Sequence, residues 1–389
     1  MKILYLCHRI PYPPNKGDKL RAYHFIKYLS RKHEISLLTL YDDPADRQYA
    51  AELKKICKLV EAIRLNRFRA ALRALPYLFT SRPLTLPFFF SRRFKKVVQR
   101  ELEKDYDLIM IFSSSMAQYI GKADTPMIID LVDADSEKWL DYARYAPWYR
   151  SLVYRLEGKR LALYEKRVAP RFRYCLVVSE REKVLLEKQI TSDNIRVIKN
   201  GIDLDPYEEA GESGTTAEKR DILFIGGMFY FAYIDGVSRF YRDCFSRIKT
   251  RFPDTRFYIV GANPVPRIQQ LGRDPQVEVT GFVPEVLPYL RKAAVYVVPL
   301  RMAPGLQNKI LEAMAAGVPV VATTAAACGI EAEGGCHMEI EDDPERFTEK
   351  VIELLANPDK RKKLSANAWK LLREKHDWQI NLSQLDNLL

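Results

Sequence analysis

Short apolar runs alternate with amphipathic stretches along most of the chain. Runs of strand length, built largely from Ile, Leu, Val, Met and Phe, lie at 2–7, 34–40, 108–112, 127–131, 174–178 and 195–198. Between them lie segments of helical period, such as 19–31 and 148–169. A strand buried on both faces reads as a near-continuous apolar run, and strands alternating with helices predict a parallel sheet covered on both sides. The stretch 204–220 is rich in Glu, Gly, Ser and Thr and holds no sustained apolar period, which predicts a linker. A second series of runs follows at 221–225, 256–260, 277–280, 294–298 and 318–322, and a helical tract runs from 344 to the end. The pattern predicts an α/β protein of two doubly wound Rossmann-like domains, 1–203 and 221–373. A last helix at about 374–389, marked by Trp378, is expected to pack back onto the first domain. No short-period repeat occurs.

Composition narrows the class. A chain of 389 residues exceeds one ordinary core and favours two domains. Hydrophobic residues make up 47% and charged residues 29%, which excludes a mainly disordered chain. Cys7, Cys57, Cys175, Cys244, Cys328 and Cys336 are scattered and fit no zinc spacing, so they read as reduced core residues of a cytoplasmic protein. The first apolar run is cut short by His8 and Arg9, which fits a strand better than an export signal. No apolar run reaches 18 residues, so no membrane span is expected. The formal net charge of +12 favours anionic partners.

In open parallel sheets, ligands bind beyond the carboxyl ends of the strands. The first strand is followed by a proline-rich loop running into Gly17, Lys19 and Arg21. A glycine turn at a helix start offers backbone N–H groups to an anion, and Lys16, Lys19 and Arg21 add charge. An ordinary loop entering a helix explains the same residues equally well. Gly226 and Gly227 end the first strand of the second domain; tight packing is an even alternative there, and the pair does not match a dinucleotide-binding fingerprint.

The segment 297–322 is the most specific. A strand ends near Val298, and a loop with Pro299, Pro304 and Gly305 leads into a helix from about Leu306. Gly317 is placed to end that helix, and Pro319 stops it. Leu306, Ile310 and Met314 form an apolar stripe. Asn308 and Glu312, four residues apart, share another face beside Lys309. A helix N-terminus with Lys309 suits a diphosphate, and Glu312 one turn further in suits ribose hydroxyls. A solvated Lys–Glu pair is the bland alternative. The surrounding Ala-Met-Ala-Ala-Gly argues against it, because a buried carboxylate needs partners.

These residues resemble a known pattern. Leu311–Val321 reads Leu-Glu-Ala-Met-Ala-x-Gly-x-Pro-Val-Val, which resembles the signature of glycosyltransferase family four, the retaining GT-B enzymes. Asn200-Gly-Ile-Asp203, Gly281-Phe-Val-Pro284 and Tyr296-Val-Val-Pro299 fit as well, so the resemblance covers nearly the whole chain. The loop from Pro11 to Lys19 and the segment Asp130–Ser136 are most similar to a bacterial exopolysaccharide subgroup. The resemblance implies GT-B architecture, two Rossmann-like domains facing across a cleft. It also implies transfer of a sugar from a nucleotide-sugar donor, UDP- or GDP-linked, to a glycan or lipid-linked acceptor with retention and without a bound metal or other cofactor. By the same resemblance, Glu312 binds ribose, and Gly17 belongs to the loop that closes over the diphosphate. Arg301 and Lys309 are candidates to neutralise it.

Two departures stand out. The family often carries a sugar-contacting Glu eight residues before Glu312, where this chain has Pro304. Sugar recognition is then expected from Gln307, Asn308 and backbone N–H groups near Gly305 and Leu306. Many members also carry an Arg and a Lys after the strand that holds Gly226, where this chain reads Met228-Phe-Tyr-Phe-Ala-Tyr233. Asp133 is the candidate to steer the acceptor hydroxyl; helix capping before Ser136 is an equal alternative for Asp133 and Asp135. Of the five histidines only His8 lies at a strand end, and it is expected to be a packed loop residue.

Residues 62–100 contain ten Lys or Arg and no Asp or Glu, interleaved with Phe68, Leu72, Leu75, Tyr77, Leu78, Phe79 and Phe88-Phe-Phe90. Basic and bulky apolar residues together predict peripheral contact with the inner face of the cell membrane. A solvated basic face is the plainer alternative. Nucleic-acid binding would also use the charge, but no nucleic-acid-binding motif is present. On the same architecture, a nucleotide-sugar 2-epimerase would need acid, base and histidine groups around the sugar that are not evident. A non-catalytic nucleotide-sugar binder is the third possibility.

Overall fold

A computed structural model describes residues 1–14, 17–121, 123–190, 193–207, 220–303 and 306–389. Most of the expected linker, together with Lys16, Pro304 and Gly305, lies outside the described residues. The chain divides into two compact units, Met1–Lys199 with Leu382–Leu389, and Asn200–Asn381.

The first unit holds seven parallel strands: β1 (Lys2–Cys7), β2 (Glu34–Tyr41), β3 (Leu59–Arg64), β4 (Leu108–Phe112), β5 (Met127–Val132), β6 (Tyr174–Val177) and β7 (Ile195–Val197), in the order β3-β2-β1-β4-β5-β6-β7. Strand order reverses between β1 and β4, the switch point of a doubly wound sheet. Every residue of β4 is buried, as its uninterrupted Leu-Ile-Met-Ile-Phe requires. β3 was not expected from the pattern. It is an edge strand with only Ile63 buried, so it carries almost no apolar signature. The helices that bear on function are α1 (Gly17–Leu29), α2 (Arg67–Ala74), α3 (Arg92–Leu102), α4 (Asp135–Tyr145) and α5 (Trp148–Val168).

Arg21 departs from its expected role as surface charge. It is fully buried, its Nε donates to Asp130 Oδ2 at 2.7 Å, and its Nη1 donates to the Ile198 carbonyl at 2.7 Å. The guanidinium also lies over the Phe25 ring, 4.6 Å from its centroid. One side chain thus ties α1 to β5 and to the end of β7.

The second unit repeats the plan with β8 (Asp221–Ile225), β9 (Phe257–Val260), β10 (Val277–Gly281), β11 (Ala293–Val298), β12 (Val320–Ala322) and β13 (Glu339–Ile340), all parallel, in the order β10-β9-β8-β11-β12-β13. Its switch point falls between β8 and β11. Beyond it lie α6 (Phe231–Arg239) and α7 (Asn308–Ala315). Gly317 ends α7 at φ +70°, with its N–H on the Met314 carbonyl and the Val318 N–H on the Ala313 carbonyl. This is a Schellman cap. It also explains why β12 starts at Val320 rather than 318: the Val318 N–H is spent on the helix. Trp378 is buried, and the backbone next to it pairs with Ile202 of the same unit, whose N–H donates to the His376 carbonyl at 2.7 Å. The final residues belong to the first unit, where Asp386 meets Lys32 at 2.6 Å and Tyr28 at 3.0 Å. All six cysteines are free, and no helix among the described residues is long and apolar enough to cross a membrane.

Breaking a buried ion pair strands a charge, whereas replacing both partners by apolar residues is often neutral. Arg21→Met is expected to lower stability by about 3–5 kcal/mol in urea denaturation. The double change Arg21→Met with Asp130→Leu should recover most of that loss, and a double variant as weak as the single one would refute this account.

Candidate functional site

The second unit places its polar residues at the β8/β11 switch point. Glu312 and Lys309 pair on α7, with Lys309 Nζ 2.7 Å from both carboxylate oxygens. The carboxylate is mostly covered while Lys309 is more open, at 20% and 35% side-chain exposure. Burial raises the Tyr296 and Tyr207 phenols, and the nearby Glu312 charge raises both further. Arg301 follows β11 and is half exposed. It forms a two-pronged pair with Asp235 of α6, at 3.0 Å on each side. Both expected cations therefore have carboxylate partners.

The start of α7 is held by its neighbours. It starts at Asn308, two residues later than the expected start near Leu306, and its N-cap Gln307 makes no side-chain capping bond. Instead Gln307 Oε1 accepts from the Tyr233 hydroxyl at 3.2 Å. Asn308 Oδ1 accepts from Asn200 Nδ2 at 3.4 Å, which links the start of the helix to the Asn-Gly-Ile-Asp segment. Leu306 packs against the core of the unit. Gly226 and Gly227 have a packing reason: a Cβ on the first would lie 2.7 Å from the Tyr233 ring, and on the second 2.9 Å from the Phe229 ring.

In the first unit, Gly17 opens α1 and is exposed, whereas Lys19 is buried and bonded to Asp46 at 2.8 Å. The exits of β4 and β5 carry backbone strain. Ser113 has φ +79° and Val132 has φ +67°, the latter rare for a β-branched residue. Across Val132 the Asp133 N–H donates to the Leu131 carbonyl at 2.9 Å, a tight three-residue turn. Asp130 supports it by accepting from the Val132 N–H at 3.1 Å. The turn leaves Asp133 half-buried just before α4. The N-cap of α4 is Ala134 without a side-chain bond, so Asp133 is not the capping residue; the Ala134 N–H goes to Glu182 at 2.7 Å.

Asp133 has acidic company: Asp135, two residues on, and Glu165, which the sequence did not announce. The Asp135 carboxyl is pushed up by burial and by Asp133, with Lys138 and His8 opposing. Behind it Glu165 is raised to about 8 by burial and by the Asp135 charge. Glu165 Oε2 accepts from the Ser136 hydroxyl at 2.7 Å, and Oε1 has no hydrogen-bond partner among the described residues. His8 stacks on Phe112 at 5.8 Å and meets the edge of Phe89 at 5.3 Å, yet it also faces this cluster. The available signal was helical period: Glu157 and Glu165 fall on the buried stripe of α5 with Ser151, Leu161 and Val168.

A metal has one candidate group among the described residues, away from these edges. Glu333, Cys336 and His337 offer ligand atoms within 4.8 Å of one another. His337 Nδ1 accepts from the Glu333 N–H at 3.0 Å, which leaves the proton of the neutral ring on Nε2, the atom facing Cys336 Sγ. A metal there would have to displace that arrangement.

Two family models match the chain: Glycosyltransferase Family 4 over residues 19–206, and Glycosyl transferases group 1 over residues 219–357. Solved structures share the fold from end to end. Sucrose-phosphate synthase from Thermosynechococcus elongatus superposes with a TM-score of 0.73 at 17% identity, covering 100% of this chain and 98% of that one. Anabaena HepE in complex with UDP and glucose gives 0.66 at 18%, covering 100% and 99%. WaaG, a glycosyltransferase involved in lipopolysaccharide biosynthesis, gives 0.68 at 13%, covering 99% and 98%. No curated protein sequence matches the chain. With one glycosyltransferase model on each unit and the doubly wound sheets of both, the chain is a glycosyltransferase of the GT-B fold.

Proposed function

We propose that the enzyme transfers a hexosyl unit from a nucleotide-sugar to a glycan or lipid-linked acceptor, with retention of configuration and without a metal, in the synthesis of an exopolysaccharide or other cell-surface polysaccharide. The observation that carries the donor site is the Lys309–Glu312 pair at the start of α7, beside the switch point of the second sheet. Lys309 and the helix N-terminus supply positive potential for a diphosphate. Glu312, one turn inside, supplies acceptors for ribose hydroxyls. HepE was solved with UDP-glucose, which makes a UDP-sugar the first donor to try.

Breaking the bond from the anomeric carbon to phosphate builds negative charge on the leaving diphosphate. Fixed donors aimed there stabilise the transition state more than the ground state. One charge-assisted hydrogen bond contributes roughly 1.5–3 kcal/mol, so Lys309, Arg301 and the helix start together supply several kcal/mol in place of a metal. Arg301 must share its charge between Asp235 and phosphate. On the acceptor side, Asp133 is held out of the helix by the turn at Val132 and is the residue proposed to orient the attacking hydroxyl.

Peripheral membrane contact has support in what the first unit exposes. Phe79 is 93% exposed and Phe68 73%, with Leu72 and Leu75 also open, next to exposed Arg67 and Arg69. Not all ten basic residues contribute. Arg73 is spent on the Pro87 and Phe88 carbonyls, and Arg100 pairs with Glu61 and Glu101. α5 adds exposed Trp148, Tyr149, Leu152 and Leu163. It is joined to the loop after α2 by Arg160, which donates to the Tyr77 and Leu78 carbonyls.

Glu312→Ala is expected to weaken UDP binding at least tenfold by calorimetry, the loss of a hydrogen-bonded charged group of roughly 1.5–3 kcal/mol. Unchanged affinity would remove its ribose role. Turnover should survive EDTA, and complete loss would establish a metal requirement. Charge reversal at Arg92, Arg93, Lys95 and Lys96 should release the protein from anionic liposomes in flotation, at about 1 kcal/mol per residue. Unaltered flotation would make α3 a solvated face only.

A further inference from the structure

The loop after β8 and the first turn of α6 are aromatic and uncharged: residues 226–234 read Gly-Gly-Met-Phe-Tyr-Phe-Ala-Tyr-Ile. Phe229, Tyr230 and Phe231 are each about half exposed, at 49%, 52% and 53%. Exposed apolar clusters at a ligand-facing edge call for a partner. These rings are also fixed. Phe229 and Tyr230 lie 4.5 Å apart, Tyr230 meets Tyr233 at 5.9 Å, and Tyr233 meets buried Phe224 at 5.7 Å, so a row of rings runs from the core to the surface. The loop backbone is pinned as well, with the Met228 N–H on the Ala262 carbonyl and the Tyr230 N–H on the Gly227 carbonyl.

α6 then locks this row against the exit of β11 at three points. Gly236 packs so closely that a Cβ would lie 2.9 Å from the Pro299 carbonyl oxygen. Asp235 holds Arg301, and the Tyr233 hydroxyl holds Gln307. Through Tyr233 the row therefore adjoins Gln307, the residue that precedes α7. Glu312 lies one turn inside α7. A donor with its ribose at Glu312 and its diphosphate at the helix start would bring its glycosyl end toward Gln307, which the Tyr233 hydroxyl holds.

We propose that Phe229 and Tyr230 form a stacking platform for the glycosyl unit of the donor, packing against the C–H face of a pyranose. The proposal rests on the donor site described above. It gives sugar recognition an apolar source. Hydroxyls at the ring edge remain for Gln307 and Asn308, while the flat face is read by the outer face of the packed pair, in which one ring backs the other. The glycine pair at 226–227 acquires a purpose here, since side chains at those positions would push Tyr233 and Phe229 out of the row.

The test compares UDP with UDP-glucose, and GDP with GDP-mannose, by calorimetry on the full chain. Wild type, Phe229→Ala, Tyr230→Ala and Tyr230→Trp are used, with thermal melts to confirm folding. The expected result is unchanged affinity for the free nucleotide and sugar-nucleotide affinity lower by roughly fivefold in each alanine variant, the scale of one aromatic contact. Tyr230→Trp should retain the wild-type sugar-nucleotide affinity. If nucleotide and sugar-nucleotide weaken in parallel, the rings hold the base and the proposal fails. If neither weakens, the rings do not touch the donor. If the wild type binds none of the four, the donor site itself is refuted, and the platform with it.

Discussion

The first unit depends on one buried ion pair. Arg21 and Asp130 are removed from water, so each needs the other and every remaining hydrogen bond. Arg21 spends its bonds on β5 and on the Ile198 carbonyl; Asp130 spends its second oxygen on the Val132 N–H. That last bond helps hold Val132 at a positive φ, which a β-branched residue would otherwise leave. The strained turn in turn sets where Asp133 emerges. The placement of Asp133, the residue proposed to orient the acceptor, is thus traced to a guanidinium 109 residues in sequence from its partner Asp130.

The second unit handles charge differently. Arg301 and Lys309 are partly exposed, and each rests on a carboxylate, Asp235 and Glu312. Such pairs contribute little to stability at the surface. They keep two long side chains oriented at the switch point and limit the free positive potential there. α6 supplies one of those carboxylates and also the tyrosine that holds Gln307. A single helix therefore sets the geometry on one side of the start of α7.

The alternation of strands and helices was legible because both sheets are parallel and covered, so their strands must be continuously apolar. β3 and β13 were not: β3 has only Ile63 buried and β13 is two residues long, so neither leaves a pattern. Gly317 and the turn after it were readable from local chemistry alone. The partners of Arg21, Lys19 and Arg301 were not, since ion pairs across 27 to 109 residues obey no spacing rule. Arg21 looked like surface charge and proved to be core. His8 and Glu165 gain meaning only from the neighbours that strand order brings to them.

The Lys309–Glu312 pair has a consequence for discrimination. In the proposed donor site an incoming diphosphate draws Lys309 away from Glu312. A free diphosphate would leave that carboxylate mostly covered and without its counter-ion, close to two phenols. A nucleotide brings ribose hydroxyls to the same carboxylate as it takes the lysine. The two contacts are therefore worth more together than apart, and the helix start favours a nucleoside diphosphate over inorganic phosphates that carry more charge but no sugar.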